Sequence, residues 1–267
     1  MDRSDLAKRM KEYEKVSQRY LTRRMPIVLR LDGCHFHNFT KNFQRPFDEI
    51  FIKSMQETTK YLCENIQGVV LGYIQSDEIS LVLIDYKKLN SQAWFDNRQD
   101  KMESVSASMT TMVFNKFFAR NVKYFQYNNG DNFDKGTKEG LEKYNLLQTY
   151  LKAIRKGAIF DARVFNVPKE DMTNNIYWRQ LDCARNSVQM MGQANFSHKE
   201  LYKKKCNDIK DMLKEQKSIN WDELPTYQKI GTCVVKDINN KWIIDKNIPI
   251  FKDEGREYIE RTFMIGE

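Results

Sequence analysis

Two acidic tips in this chain carry the residue types that hold hard cations. Arg30-Leu31-Asp32-Gly33 ends one apolar run, and Gln75-Ser76-Asp77-Glu78 joins two others. Taken singly, each tip is what Asp, Gly and Ser do at strand ends, where their side chains bond the local backbone. Taken together, they bring two or three ionised carboxylates toward one place, and such a group repels itself unless a cation neutralises it. Hard oxygen donors select magnesium over zinc. A pair of such ions, typically about 3.5–4 Å apart, activates an attacking hydroxyl and stabilises charge on a phosphoryl group, so phosphoryl or nucleotidyl transfer is the chemistry indicated. Asp32, Asp77 and Glu78 are the catalytic candidates.

Positioning these groups requires particular elements. Residues 26–31 are apolar and β-branched and read as a strand ending at Asp32. Residues 69–74 and 79–84 read as two further strands in a hairpin whose turn holds Asp77. Between them, residues 46–65 carry Phe47, Ile50, Phe51, Met55, Tyr61 and Leu62 at helical spacing behind Pro46. A second helix spans 101–125 and a fourth strand 158–165, which completes a split β-α-β, ferredoxin-like α+β core. A right-handed crossover makes the first two strands run the same way, and the hairpin returns the third antiparallel between them. That topology gathers Asp32 and Asp77 at one end of the sheet, with Glu78 beside them.

Residues 127–140, rich in Asn, Gly and Asp, read as a surface loop inserted before a helix over 141–156 that stops at Gly157. Beyond Pro168 the pattern predicts a long helix over 173–191. A capping box of Ser197 and Glu200 then opens a helix to about residue 215, and a hairpin pairs 232–235 with 242–244. The division expected is a catalytic core over 1–166 and a helical and β-hairpin extension over 167–267, packed on that core.

The 267 residues are 41% hydrophobic and 30% charged. That suits a globular chain without the roughly 20-residue apolar segment that spans a membrane. The charged start lacks a signal core, and the five cysteines are odd in number with no Cys-x-x-Cys spacing. These features predict a reducing cytoplasm, with a mitochondrial location left open. The net charge of +8 suits a polyanionic partner, although lysine runs such as 203–205 also make ordinary solvated helix surface.

The motifs match a known family. The chain resembles the tRNA-histidine guanylyltransferases, and especially their relatives that polymerise nucleotides in the 3′-to-5′ direction and repair 5′-truncated tRNAs against a template. The resemblance rests on Arg30-Leu31-Asp32-Gly33, Phe36-His37-x-Phe39, Arg45-Pro46-Phe47-Asp48, Gln75-Ser76-Asp77-Glu78, Phe160-Asp161-Ala162-Arg163, Tyr177-Trp178-Arg179-Gln180-x-Asp182-Cys183 and Glu223-Leu224-Pro225-x-Tyr227-x-Lys229. It implies a polymerase palm-like fold, usually in a homotetramer, with two magnesium ions held by Asp32, Asp77 and the carbonyl of Gly33. It implies a nucleotide-binding loop through Gly33, Cys34, His35, Phe36 and His37, with Ser76, Arg45 and Asp48 near the nucleotide. Amides leading into a helix start suit phosphate oxygens. Arg98 and Lys101 match positions that approach phosphates, although as an i, i+3 pair they also read as plain surface charge. Arg179 and Asn186 are candidates for tRNA contact. ATP and GTP are the implied substrates and tRNA the implied partner.

The histidine-specific eukaryotic enzymes carry His-Ile-Asn-Asn-Leu-Tyr-Asn where this chain has Ala184-Arg185-Asn186-Ser187-Val188-Gln189-Met190. That departure favours template-dependent 5′ repair, with ATP activation of 5′-monophosphate ends, over addition of a single guanosine to tRNA-histidine. Two other readings are weighed. A nucleotidyl cyclase shares a palm with paired acids but uses a Gly-Gly-Asp-Glu-Phe hairpin, which is absent here. A non-catalytic tRNA-binding module would have no need of the acidic trio.

Overall fold

A computed structural model of the chain describes residues 4–130 and 136–264. Six antiparallel-paired strands form one sheet: Ile27–Gly33 (β1), Val69–Gln75 (β2), Glu78–Leu83 (β3), Phe160–Asn166 (β4), Thr232–Lys236 (β5) and Trp242–Asp245 (β6). Their spatial order is β4-β1-β3-β2-β5-β6. β3 lies antiparallel between β1 and β2, so those two run the same way, as expected of a split β-α-β core.

The sheet is apolar on both faces. Leu29, Leu31, Ile79 and Leu81 face one core, and Val28, Tyr73 and Val82 face the other. Helices Glu49–Asn65 (α3), Gln99–Asn128 (α4) and Lys138–Lys156 (α5) serve the first face. Lys169–Asn195 (α6) and Glu257–Phe263 (α10) cover the second. Asp5–Lys15 (α1) buries no residue, and Phe36–Phe39 (α2) is a single turn after β1. The C-terminal hairpin is not separate from this sheet. β5 pairs with β2, so strands from both ends of the sequence form one surface.

Several boundaries differ from the sequence reading, each for a local reason. α3 begins past Pro46, where Asp48 accepts the Phe51 amide at 2.9 Å and caps the helix. α5 starts earlier than residue 141 because Thr137 caps it, and it ends at Gly157 with φ 72°. α4 continues through Asn128, and residues 131–135 of the expected loop lie outside the described residues. Ser197 and Glu200 form the capping box, but the helix it opens, His198–Leu201 (α7), stops after one turn. A new helix, Cys206–Lys217 (α8), begins after Lys203 takes φ 61°. The intervening Tyr202 and three lysines offer no apolar side chain to bury, so nothing holds the turn together. Thr226–Ile230 (α9) precedes β5.

No described helix is long and apolar enough to cross a membrane. The five cysteines are free.

Candidate active site

The acidic end of the sheet is built by register. Asp32 pairs with Glu78 on β3 and with Asp161 on β4, so three carboxylates stand on adjacent strands and project to the same face. Asp77 occupies the tight β2–β3 turn with Ser76, whose φ is 49°. The topology expected from sequence therefore does gather Asp32 and Asp77.

Below this end lies a cleft of about 540 Å³, lined by Asp32, Gly33, Ser76 and Asp77 on one side and by residues of the 35–51 segment on the other. His35, His37, Arg45 and Asp48 are among those lining residues. The segment is seated on an aromatic cluster. Phe36 packs on Phe160 at 4.9 Å between centroids, Phe43 stacks on Phe118 at 5.6 Å, and Phe39 lies 5.2 Å from Phe36. These contacts fix the backbone between β1 and α3 over the cleft while leaving His35, His37 and Arg45 exposed. Gly33 has a steric reason to be glycine: a Cβ there would lie 2.2 Å from the Phe36 ring.

The carboxylates are under electrostatic stress. Burial pushes the Asp77 carboxyl up to about 6, and Asp32 and Glu78 add repulsion against the pull of its own amide and Ser76. Asp32 is raised by burial first, then by Glu78 and Asp161, with Arg163 opposing from 3.9 Å. Two oxygen-bearing side chains that resist ionisation beside an open cleft fit a hard divalent cation, with the Gly33 backbone adjoining them. No three His, Cys, Asp or Glu side chains among the described residues form a metal cluster by themselves. A cation here would take two carboxylates and complete its shell with backbone, nucleotide or water oxygens.

Other expected site residues are placed differently. Glu78 does not line the cleft. Its carboxylate takes two bonds of 2.7 Å from Arg179, with Gln75 and Ser80 donating at 3.3 and 3.5 Å. Arg179 is correspondingly buried, also bonds Asp182, and has no face to offer RNA. Asn186 is exposed and lines a small apolar recess next to the cleft with Phe47, Met190 and Tyr227. Asp48 is buried and its oxygens are spent on the amides of Gln44 and Phe51 and on the Tyr150 hydroxyl at 2.6 Å. Its role visible here is to brace the cleft wall. The Cys34 amide donates to the Ile159 carbonyl and its thiol to Asp161, so the amides open toward phosphate begin at His35.

Arg98 and Lys101 stand apart from the cleft. They start α4 at the end of the sheet where β1 begins, with Arg98 bridged to Tyr20 and ion-paired to Asp100. Thr111 and Asn115, which bond the start of β4 beside Gly33, lie about 15 Å further along that helix. Within one chain the pair does not reach the carboxylates.

The motif Phe160-Asp161-Ala162-Arg163 gives no sign of a role by itself, and the β4 register puts Asp161 and Arg163 beside Asp32. Met190 and Gln193 also line the cleft, and only the path of α6 over the sheet end shows it.

The sequence model of a family described as tRNAHis guanylyltransferase matches residues 7–168. A bacterial tRNA(His) guanylyltransferase (Thg1)-like protein in complex with ATP superposes with a TM-score of 0.81 at 37% identity, covering 97% of this chain and 99% of that one. A structure of such a bacterial protein in complex with GTP gives 0.73 at 34% identity, with the same coverage. The tRNA(His) guanylyltransferase 2 of Arabidopsis thaliana is 24% identical over 258 residues. That match takes in 91% of this chain and 42% of the plant protein's length.

Proposed function

The chain belongs to the tRNAHis guanylyltransferase family of nucleotidyltransferases, and from that premise we propose that it extends the 5′ end of truncated tRNA in the 3′-to-5′ direction against a template. The observation that carries the reading is the meeting of Asp32 and Asp77 on the rim of a nucleotide-sized cleft whose far wall is the 35–48 segment. Similarity to a chain bound to ATP and another bound to GTP supports both nucleotides as substrates.

In this reading the RNA 5′-monophosphate attacks the α-phosphorus of ATP, releasing pyrophosphate and leaving an adenylylated end. The 3′-hydroxyl of an incoming nucleoside triphosphate then attacks that RNA phosphorus, and AMP departs. Asp32 and Asp77, with the Gly33 carbonyl, are the residues that would hold magnesium, in two ions by analogy with two-metal sites. Bound there, magnesium supplies a more acidic hydroxyl nucleophile and neutralises charge on the leaving group. The chain's own groups do the rest. Amides from His35 into α2, together with Arg45, face the triphosphate. Arg45 is exposed and lines the cleft, where it can reach a triphosphate. Arg179 holds Glu78 away from the cleft, so that it supports the site from behind.

The decisive assay extends matched full-length and 5′-truncated tRNAs, bearing 5′-monophosphate or 5′-triphosphate, with labelled nucleotides. Templated growth of the truncated RNA is expected, with ATP required only for monophosphate ends. Addition of one guanosine to full-length tRNA-histidine alone would replace this reading with the activity for which the plant relative is named. Product from GTP or ATP without RNA would indicate a cyclase, and binding without incorporation a non-catalytic module.

A homotetramer in the cytoplasm completes the proposal. Exposed Leu6, Met10 and Tyr13 on α1 and Met112 on α4 supply apolar surface for subunit contact, and five free cysteines suit a reducing compartment. Sedimentation velocity and cell fractionation test these two points.

A further inference from the structure

On the α6 side of the sheet, the outer half of the acidic end is open. Asp161 and Arg163 on edge strand β4 are exposed, and the wall above them is one face of α6 bearing Trp178, Leu181 and Arg185. Trp178 is 53% exposed and Leu181 50%, although both lie on a helix whose other face is deeply buried. An exposed indole beside a catalytic end is an expensive surface for a chain to keep in water.

The indole is also held in place. The Arg30 guanidinium lies 5.3 Å from its centroid and 5.7 Å from the Phe165 ring, and the Arg179 guanidinium lies 4.6 Å from the indole. Arg30 lies 3.6 Å from the Glu78 carboxylate and Arg179 is hydrogen-bonded to that same group, so one nearly buried carboxylate anchors both guanidinium groups. The aromatic surface is therefore preorganised by cation–π contact. Arg30 and Asp32 face the same side of β1, two residues or about 7 Å apart along the strand, so the indole that lies on Arg30 shares a sheet face with the Asp32 carboxylate. Arg163, exposed and only loosely paired to Asp32, and Arg185, paired to Asp182, flank it with positive charge.

We propose that Trp178 is the stacking platform for the 5′-terminal base of the RNA, with Arg163 and Arg185 against the adjoining phosphates. A rigid aromatic surface between guanidinium groups is the chemistry that binds an unstacked base and its backbone in a sequence-tolerant way. It gives a repair enzyme a means of seating whatever base ends the truncated strand next to Asp32. The assignment rests on the proposed RNA substrate, and it names a residue that orients the acceptor while the nucleotide occupies the cleft on the other side of Asp32 and Asp77.

The test uses the full chain and a synthetic RNA hairpin with a 5′-monophosphate and 2-aminopurine as its 5′-terminal base. It is run with Asp77→Asn protein so that no turnover intervenes. Trp178→Phe keeps an aromatic ring, and Trp178→Leu keeps only an apolar one. Binding should quench 2-aminopurine in the parent and in Trp178→Phe. Trp178→Leu should lose most of the quench and bind the hairpin roughly tenfold or more weakly, the scale of one lost base–aromatic stack. Fluorescent ATP should bind all three alike. Equal quenching and affinity in Trp178→Leu would overturn the proposal. So would an unchanged RNA affinity accompanied by a smaller assembly in sedimentation, which would assign the indole to a subunit interface. An otherwise wild-type chain that extends no RNA, while the quench still follows residue 178, sinks the function proposed above and leaves this one standing. Unchanged RNA KM for Trp178→Leu in an active enzyme does the reverse.

Discussion

Asp77 is a carboxyl group that the fold destabilises when it is charged. With its folded pKa raised to about 6 by burial, above the ordinary aspartate value, the folded chain binds a proton that the unfolded chain has lost between about pH 4 and 6. The Asp77 contribution to stability without divalent cation is therefore greatest below that window, falls as pH rises through it, and then levels. Asp77→Asn removes this cost. We expect the variant to be more stable than the parent at pH 7.5 by about 1–2 kcal/mol, with the advantage shrinking at pH 4.5. Urea titrations with a chelator present check this. The same variant should lose 5′ extension, and magnesium should stabilise the parent but not the variant. A loss of stability in Asp77→Asn at pH 7.5 would show that the carboxylate has a protein partner. The Arg179–Glu78 pair behaves in the opposite way. Both side chains are nearly buried and bidentately bonded, so Arg179→Ala leaves Glu78 only the longer 3.6 Å contact with Arg30 and should cost about 3–5 kcal/mol. Glu78→Gln in that background should recover much of the loss. A double-mutant cycle in urea separates this bracing role from the catalytic one that the sequence suggests for Glu78.

Single elements locate these residues, and the short segment after β1 is the most constrained of them. Gly33 lies where β1 hands over to α2, with Phe36 folded back so closely that a Cβ would sit 2.2 Å from its ring. Phe36 in turn contacts Phe39, Phe51, Phe114 and Phe160. Gly33→Ala should unseat this cluster, destabilise the chain by about 1–3 kcal/mol through overpacking, and weaken nucleotide binding at least tenfold because the cleft wall moves with it. Thermal denaturation and fluorescent-nucleotide titration read the two effects, and normal affinity would mean that the wall is held without Phe36. Much at this scale was legible in the sequence. The β2–β3 hairpin, the end of β1 within one residue of Asp32 and the stop of α5 at Gly157 follow from local periodicity and turn residues. Positions set by long-range register were not legible. Asp161 joins Asp32 only through the β1–β4 pairing, and the end of the sheet that receives Arg98 and Lys101 depends on a helix direction that no local pattern reveals. The split into α7 and α8 was hidden because a capping box reports where a helix starts, not whether anything apolar sustains it.

At the scale of the whole molecule, the division at residue 166 separates sequence more cleanly than it separates structure. The second core is shared: Val28, Leu71, Tyr73 and Val82 come from the first part, and Ile176, Cys233, Val235, Phe251, Ile259 and Phe263 from the second. Gln56 on α3 donates to Thr232, and the Tyr73 hydroxyl donates to the carbonyl of Ile230, so hydrogen bonds as well as apolar contacts cross the boundary. A fragment of residues 1–166 would keep the acidic tips and most of the cleft lining. It would also expose one apolar sheet face and the free edge of β2, which carries unpaired backbone groups and invites association. Burial of a side chain such as Phe251 or Phe263 is worth about 1.5–3 kcal/mol each, and whole domains are held by about 5–15 kcal/mol, so losing six such groups exceeds the margin. We therefore expect the fragment to be aggregated or to bind a hydrophobic dye without cooperative unfolding, and to lack nucleotide binding. Co-expression with residues 167–267 should restore a soluble complex with a single thermal transition. A soluble fragment that unfolds cooperatively would show instead that α3, α4 and α5 alone stabilise the sheet, with the C-terminal part an accessory to the acidic end.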